Sequence, residues 1–269
     1  MKSRLDARSA LVVALVAVSC GARTDLLTPL CIEGETRACR TACGEGTEQC
    51  IRGAWTGCTA KPALDPPPTI TITGTARDFH DSHPDFERSF GDDRGIVAKV
   101  LGADRVPVYG PSAKTLTVSG KASFDQWFHD TPGVNKTGPV SLALTRRSMS
   151  PLVYTFDAPD YFPIDGTLFG NEGRAHDFHF TLEFHTEIEV RGGESLLFRG
   201  DDDLFVFVDG KLAVDLGGIH AAESATIALD SLGLEKSKVY PLDLFFAERH
   251  TIMSSLRIET TNARFARCP

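Results

Sequence analysis

Several absences narrow the field before any motif is read. No apolar run reaches the roughly 20 residues that a membrane-spanning helix needs. The stretch Ser9–Ser19 (SALVVALVAVS) stops well short of it. No basic run occurs and the formal net charge is −8, which argues against a nucleic-acid interface. Nucleophile elbow, zincin helix motif and phosphate loop are all missing, so no common catalytic signature is present. No internal repeat is visible. Methionine, tryptophan and tyrosine are scarce at 3, 2 and 4 residues. What is plentiful is phenylalanine (17), glycine (24) and proline (15), a balance that suits a loop-rich β protein better than a helical bundle. Hydrophobic residues make up 42%, enough for a packed core.

The first residues read as an export signal. Lys2, Arg4 and Arg8 precede the apolar stretch, which ends in Ala17-Val18-Ser19-Cys20. That tetrapeptide resembles a lipobox, with Ala17 where leucine is usual and Cys20 as the residue that takes the lipid. Gly21 supplies no inner-membrane retention signal, so the expected place is the outer membrane or cell surface. Plain secretion is the alternative. Residues 1–19 are then the signal peptide and 20–30 a tether. Removing Lys2, Arg4, Arg8 and Asp6 takes the charge from −8 to about −10. Such acidity suits divalent cations or simple solubility.

With Cys20 lipidated, Cys31, Cys39, Cys43, Cys50, Cys58 and Cys268 remain. An even count in an exported chain reads as three disulfides, with 15 possible pairings. Five of the six fall between Cys31 and Cys58, so one of them is expected to pair with Cys268 and tie the C-terminus back. A zinc site at Cys39 and Cys43 is the alternative, although no second knuckle follows. The module 31–60 has no apolar periodicity, so cross-links must stand in for a core. Residues 61–68 (KPALDPPP) form an extended linker. The main domain, 69–269, follows.

Thr69–Arg77 alternates as a strand. Ser123–Asp130 is the best helix, with Ser123 and Gln126 as a capping box. His176–Val190 alternates throughout, placing Phe178, Phe180, Leu182, Phe184, Ile188 and Val190 on one face and His179 and His185 on a wet one. Leu204–Val208 (LFVFV) is apolar throughout and reads as a central strand. Asp209-Gly210 is a two-residue hairpin turn into Lys211–Asp215. Further strands are expected at 225–230, 242–247 and 256–260. Short strands at regular spacing predict an all-β, antiparallel sandwich.

The outstanding feature is Gly200-Asp201-Asp202-Asp203. Three adjacent carboxylates repel one another, so either solvent or a cation must offset them. If successive strands reverse, the triplet shares one end of the sandwich with Asp215, His220, Glu248, Arg249 and His250. Asn171, Glu172 and His176 come to the same end. Loops at one end of a rigid scaffold are a common binding platform.

Six segments resemble the fibro-slime family in the right order: Asp78–Glu87, Asp125–Asn135, Tyr161–Gly173, His176–His185, Gly200–His220 and Phe245–His250. That family lies within the protective-antigen-type domains, lectin-like β-sandwiches of toxins, adhesins and glycosidases. The resemblance implies a calcium ion on two adjacent aspartates joined by a cis peptide, here Asp201 and Asp202, which in turn holds sugar hydroxyls. The adhesins add an asparagine from a second loop. The matching loop, Glu248–Ser255, has none, so either Glu248 substitutes or the calcium site is absent.

Three readings follow. The first is a surface module that binds polysaccharide or extracellular matrix through calcium, with Asp203, Asp215, His220, Glu248, Arg249 and His250 as its rim. The second is a structural or assembly protein of the envelope with no small ligand. The third is a glycoside hydrolase-like enzyme using Asp201–Asp203 and Glu248, the least supported. Histidine pairs (His80 with His83, or His220 with His250) are candidate helpers for a transition metal, and their ordinary role is structural.

Overall fold

The computed structural model describes residues 31–41, 44–56 and 66–265. Cys20, Cys43, Cys58, Cys268, the signal segment, the tether and most of the linker lie outside the described residues, as does the side chain of Cys39. The expected tie through Cys268 therefore also lies outside them. The chain divides into two compact units.

A three-stranded meander of β1 (Thr36–Thr41), β2 (Gly44–Ile51) and β3 (Ala54–Trp55) comes first in the chain, and its residues 38–47 are grouped with the larger unit. Of the pairings left open by the sequence, Cys31 takes Cys50. The Arg37 guanidinium lies 4.2 Å over the Trp55 ring and pairs with Glu48. A cross-link and one cation–π contact do here what a core does in larger domains.

The large unit opens with β4 (Thr69–Phe79), the short β5 (Gly91–Asp92) and one helical turn, α1 (Lys121–Phe124). Then come β6 (Asn135–Met149), β7 (Leu152–Ala158), β8 (Phe180–Val190) and β9 (Ser195–Gly200). They are followed by β10 (Asp203–Val208), β11 (Lys211–Leu216), β12 (Gly218–Ile219) and β13 (Glu223–Ala228). The chain closes with β14 (Lys238–Glu248), β15 (Leu256–Thr261) and β16 (Arg264–Phe265). The strand order is β11-β10-β14-β8-β4-β6-β7-β15-β9-β13, antiparallel throughout, with β16 added beside β8 and β12 paired separately with β5.

The eleven strands of this sheet feed a single interior. Ile72, Leu142, Tyr154, Phe184, Phe198, Val206, Phe246 and Ile258 all meet there. A sheet can bring alternate residues of every strand to one core only by curling on itself, and the edge strands β11 and β13 approach each other. The result is a near-closed barrel or sandwich.

The apolar text of β10 has a simple cause. Leu204, Val206 and Val208 face the interior. Phe205 and Phe207 face outward, under a second cluster with Ile96, Val118, Phe124, Trp127, Phe128 and Phe245. A strand covered on both faces reads as a continuous hydrophobic run. The same outer layer corrects the wet face expected for β8. His179 is buried, and His185 is half-buried between Glu183 and Asp243.

The helix is also corrected. It starts at Lys121 and ends at Phe124, with Gly120 rather than Ser123 at its N-terminal boundary. Ser123 lies inside the turn and its hydroxyl donates to the Gly120 carbonyl (2.9 Å). Burial of Phe124, Trp127 and Phe128 together, not the capping pattern, shapes this stretch.

Candidate functional site

Antiparallel pairing fixes strand directions. β4, β7, β9, β11 and β14 run toward one end of the barrel, and β6, β8, β10, β13 and β15 run away from it. The link from β9 to β10 crosses from one wall to the other over that end instead of forming a hairpin. Direction still reverses, so the loops after β4, β7, β9, β11 and β14 gather there.

The turn Asp201-Asp202 is the knot that joins them. Asp202 takes a left-handed backbone (φ 53°), a conformation that aspartate tolerates better than most residues. The cis bond implied by the adhesin resemblance is not seen here: among the described residues the cis peptide is Ser150–Pro151, and the left-handed Asp202 makes the turn instead. Asp201 Oδ1 accepts from the Ser255 amide (2.5 Å). Asp202 accepts from the amides of His220 (3.2 Å) and Arg249 (2.9 Å). Asp203 accepts from the Gly218 amide (2.8 Å) and from Arg249 Nε (2.5 Å). All three carboxylates are buried, at 5%, 3% and 0% exposure, so solvation of an open turn does not explain the triplet.

Asp203 and Arg249 pair inside the domain rather than at an open rim. Both side chains are fully enclosed. Arg249 Nη1 donates to the carbonyls of Asp85 and Thr117 (2.9 Å each), and Nη2 to Thr117 Oγ1 (3.2 Å). Its guanidinium lies 4.5 Å over Trp127. Trp127 Nε1 in turn donates to Asp85 Oδ2 (3.0 Å), whose Oδ1 accepts from the Ser119 amide (2.6 Å). Burial pushes Asp203 upward and the Arg249 charge opposes it.

Glu248 is different. It is 1% exposed and its Oε2 has no hydrogen-bond partner among the described residues. The Ser254 hydroxyl stands near it, and the Ser255 hydroxyl near Asp201, both outside hydrogen-bond geometry. Burial, then repulsion from Asp202 and Asp201, holds Glu248 well above the usual carboxylate range. Burial likewise raises Asp201, and lifts Asp202 to about 8 against the pull of Arg249. Asp201, Asp202 and Glu248 are thus buried near enough to raise one another, while Arg249 is paired with Asp203.

The remaining expected residues lie around this centre. Asp215 Oδ2 accepts from the Gly95 amide (2.9 Å). His250 sits against the exposed Phe90 ring (4.3 Å) and 3.6 Å from Glu87. Glu172 binds His80 (2.7 Å) and His179 (2.9 Å), and His179 reaches on to Glu87 (2.9 Å). Asn171 and His176 are occupied within their own loop: Asn171 with Ala175, and His176 with Asp165. His80 and His83 do not converge on a metal, since His83 bonds Gln126 (3.0 Å). His220 instead joins Asp92 and Glu223, whose donor atoms lie within 4.8 Å of one another. Sequence reading missed Asp85, Glu87, Asp92, Thr117, Trp127 and Glu223. Only the Asp78–Glu87 and Asp125–Asn135 resemblances pointed near any of them.

Parts of the chain are similar to known proteins. Residues 154–267 match the PA14 domain family. Protein psiR of Dictyostelium discoideum is 41% identical over 206 residues, 70% of this chain and 20% of psiR. Protein psiD of the same organism is 41% identical over 216 residues, 74% of this chain and 42% of psiD. The chain thus spans less than half the length of either relative. Among solved structures, the PA14 sugar-binding domain from an RTX adhesin is similar at 10% identity and a TM-score of 0.34, covering 72% of this chain and 96% of that one. Residues 154–267 of the large unit carry the likeness to the PA14 domain family, and its strands form an antiparallel β-sandwich or near-closed barrel. It is similar in sequence to the psi proteins of Dictyostelium discoideum.

Proposed function

We propose that the large unit is a calcium-dependent carbohydrate- or matrix-binding module, displayed at the cell surface by a lipid on Cys20. The observation that supports the calcium is the burial of Asp201, Asp202 and Glu248 near one another. These carboxylates are buried together, and one oxygen of Glu248 has no partner. Leaving such groups unmatched in a dry site is costly, and a hard cation is the natural match for oxygen donors. The resemblance implies calcium on Asp201 and Asp202, with Glu248 as the substitute for the missing asparagine, and these three supply oxygen donors of the kind that calcium takes. A bound calcium supplies an oxygen-seeking centre for vicinal hydroxyls of a sugar. This chain's own part is to hold the carboxylates rigidly. Each aspartate is tied to a different loop amide, and Arg249 is paired with Asp203. His250 and Phe90 offer a ring surface at the edge, suited to the apolar face of a sugar.

Thermal melting in excess calcium and in chelator tests this directly. At 100 times the dissociation constant, calcium should stabilise the protein by about 2.7 kcal/mol. The Asp201→Asn/Asp202→Asn variant should lose that increment while still folding. A folded wild-type protein whose melting ignores calcium would overturn the calcium reading. Polysaccharide binding that persists in chelator would separate the sugar from the metal.

A further inference from the structure

We infer that Asp92, His220 and Glu223 form a second metal site, for a divalent transition ion of the zinc class. It shares no ligand with Asp201, Asp202 or Glu248 and does not depend on their holding calcium.

The fold builds the cluster from three elements. β5 and β12 pair with Gly218 opposite Asp92 and Ile219 opposite Gly91, and the Asp93 amide donates to the Gly217 carbonyl (2.7 Å). The approach is so close that a Cβ on Gly218 would sit 2.4 Å from the Gly91 carbonyl oxygen. This ladder sets Asp92 beside His220, two residues beyond Gly218. Glu223 then enters at the first residue of β13, paired with Gly200 of β9. One donor atom from each of the three residues lies within 4.8 Å of the others.

His220 is the observation that points to a ligand. It is 9% exposed, and its Nε2 is buried without a hydrogen-bond partner among the described residues. Its Nδ1 lies 3.0 Å from the Ala221 carbonyl. A carbonyl only accepts, so the proton belongs on Nδ1 and the lone pair on Nε2. Metal-bound histidines use this arrangement, with the far nitrogen donating to a backbone oxygen. Glu223 is oriented by an ion pair to Arg94, whose Nη1 also holds the Asp215 carbonyl (2.6 Å). The pair uses Oε2 and leaves Oε1 available. Asp92 is exposed, and among the described residues its carboxylate makes no hydrogen bond or ion pair.

One imidazole and two carboxylates suit zinc and its neighbours, with a fourth position left for water or an outside ligand. Calcium takes about 6–8 oxygens, which this trio cannot provide. Ligand distances of about 2.0–2.2 Å require the donors to close by roughly an ångström. Asp92, exposed and unpaired, is the side chain able to make that movement.

The test is a titration of the metal-stripped, purified protein with cobalt(II), followed by its visible absorption. The expected result is one equivalent bound with a four- or five-coordinate spectrum, displaced by zinc and not by excess calcium. His220→Ala and the surface pair Asp92→Asn/Glu223→Gln should each abolish it. The latter should melt in chelator as the wild type does, and Asp201→Asn/Asp202→Asn should keep the spectrum. A folded wild-type protein that binds neither cobalt nor zinc, a spectrum unchanged in Asp92→Asn/Glu223→Gln, or displacement by calcium would each overturn the site.

Discussion

Arg249 shows how far a single residue's role can depend on depth. The run Asp201-Asp202-Asp203 and the tripeptide Glu248-Arg249-His250 both stand out in the sequence as polar text at strand ends. Their meeting was legible from strand reversal. Their burial was not, because a triplet of carboxylates reads equally well as a solvated turn. The structure splits the set by partner. Asp203 is paired with Arg249, while Glu248 keeps one buried oxygen without a hydrogen-bond partner among the described residues. A guanidinium with four hydrogen bonds and an aromatic ring against it is a structural cation. Arg249→Gln should therefore cost about 3–5 kcal/mol, the usual penalty for leaving a buried charge without its partner. Denaturant melts of the variant measure it. Adding Asp203→Asn should recover part of the loss, because the stranded charge goes too. A loss below about 1 kcal/mol, the range of exposed pairs, would show that the pair is wet.

Elements were read best where one local rule governed them. Asp209-Gly210 was expected as a two-residue turn, and both residues carry positive φ, at 53° and 70°. β10 and β11 pair on either side of it. β10 itself was recognisable from its unbroken apolar run. The segment 121–130 was not, because the Ser123/Gln126 pattern satisfies a capping rule while three aromatic rings set the path. β4 carries another feature that no local rule reveals. Gly74 faces Phe184 of β8, and a Cβ there would lie 2.2 Å from the Glu183 carbonyl oxygen and 2.4 Å from the Phe184 ring. Two glycine substitutions should therefore behave differently. At Gly210 nothing lies within 4 Å, so Gly210→Ala costs only the left-handed backbone, about 1–2 kcal/mol. Gly74→Ala forces two central strands apart and should cost about 3 kcal/mol or more. Equal losses in urea melts would contradict the close packing of β4 on β8.

At the scale of the whole molecule, alternation and turn signals were enough for an antiparallel β domain with its polar outliers at one end. Closure of the sheet was not readable, since it rests on the β9–β10 crossing and on which distant strands pair. Nor was the outer layer, which comes from residues 80–134 and has little strand pattern of its own. That layer changes how the fold answers to pH. His185 was expected in water. Instead it lies between Asp243 (2.7 Å) and Glu183 (2.6 Å), with Phe245 beside it. Arg105 pairs with the same Asp243, and Arg77 with the same Glu183. The hydrogen bonds to Asp243 and then Glu183 outweigh burial and raise His185 from its ordinary 6.5 to about 9. Below pH 6.5 the imidazole is charged in both folded and unfolded chains, and its full contribution to stability is present. Between about 6.5 and 9 the unfolded chain gives up its proton first, so that contribution drains away as pH rises and is gone above 9. Buried carboxylates such as Asp202 also titrate in this range, so the informative quantity is a difference. The stability gap between wild type and His185→Gln should be widest near pH 6 and narrow steadily toward pH 9. The imidazole resonance of His185 should titrate near 9 in the folded protein. A midpoint at 6.5, or a gap independent of pH, would mean that the outer layer leaves His185 as open to solvent as its place in the alternating strand implied.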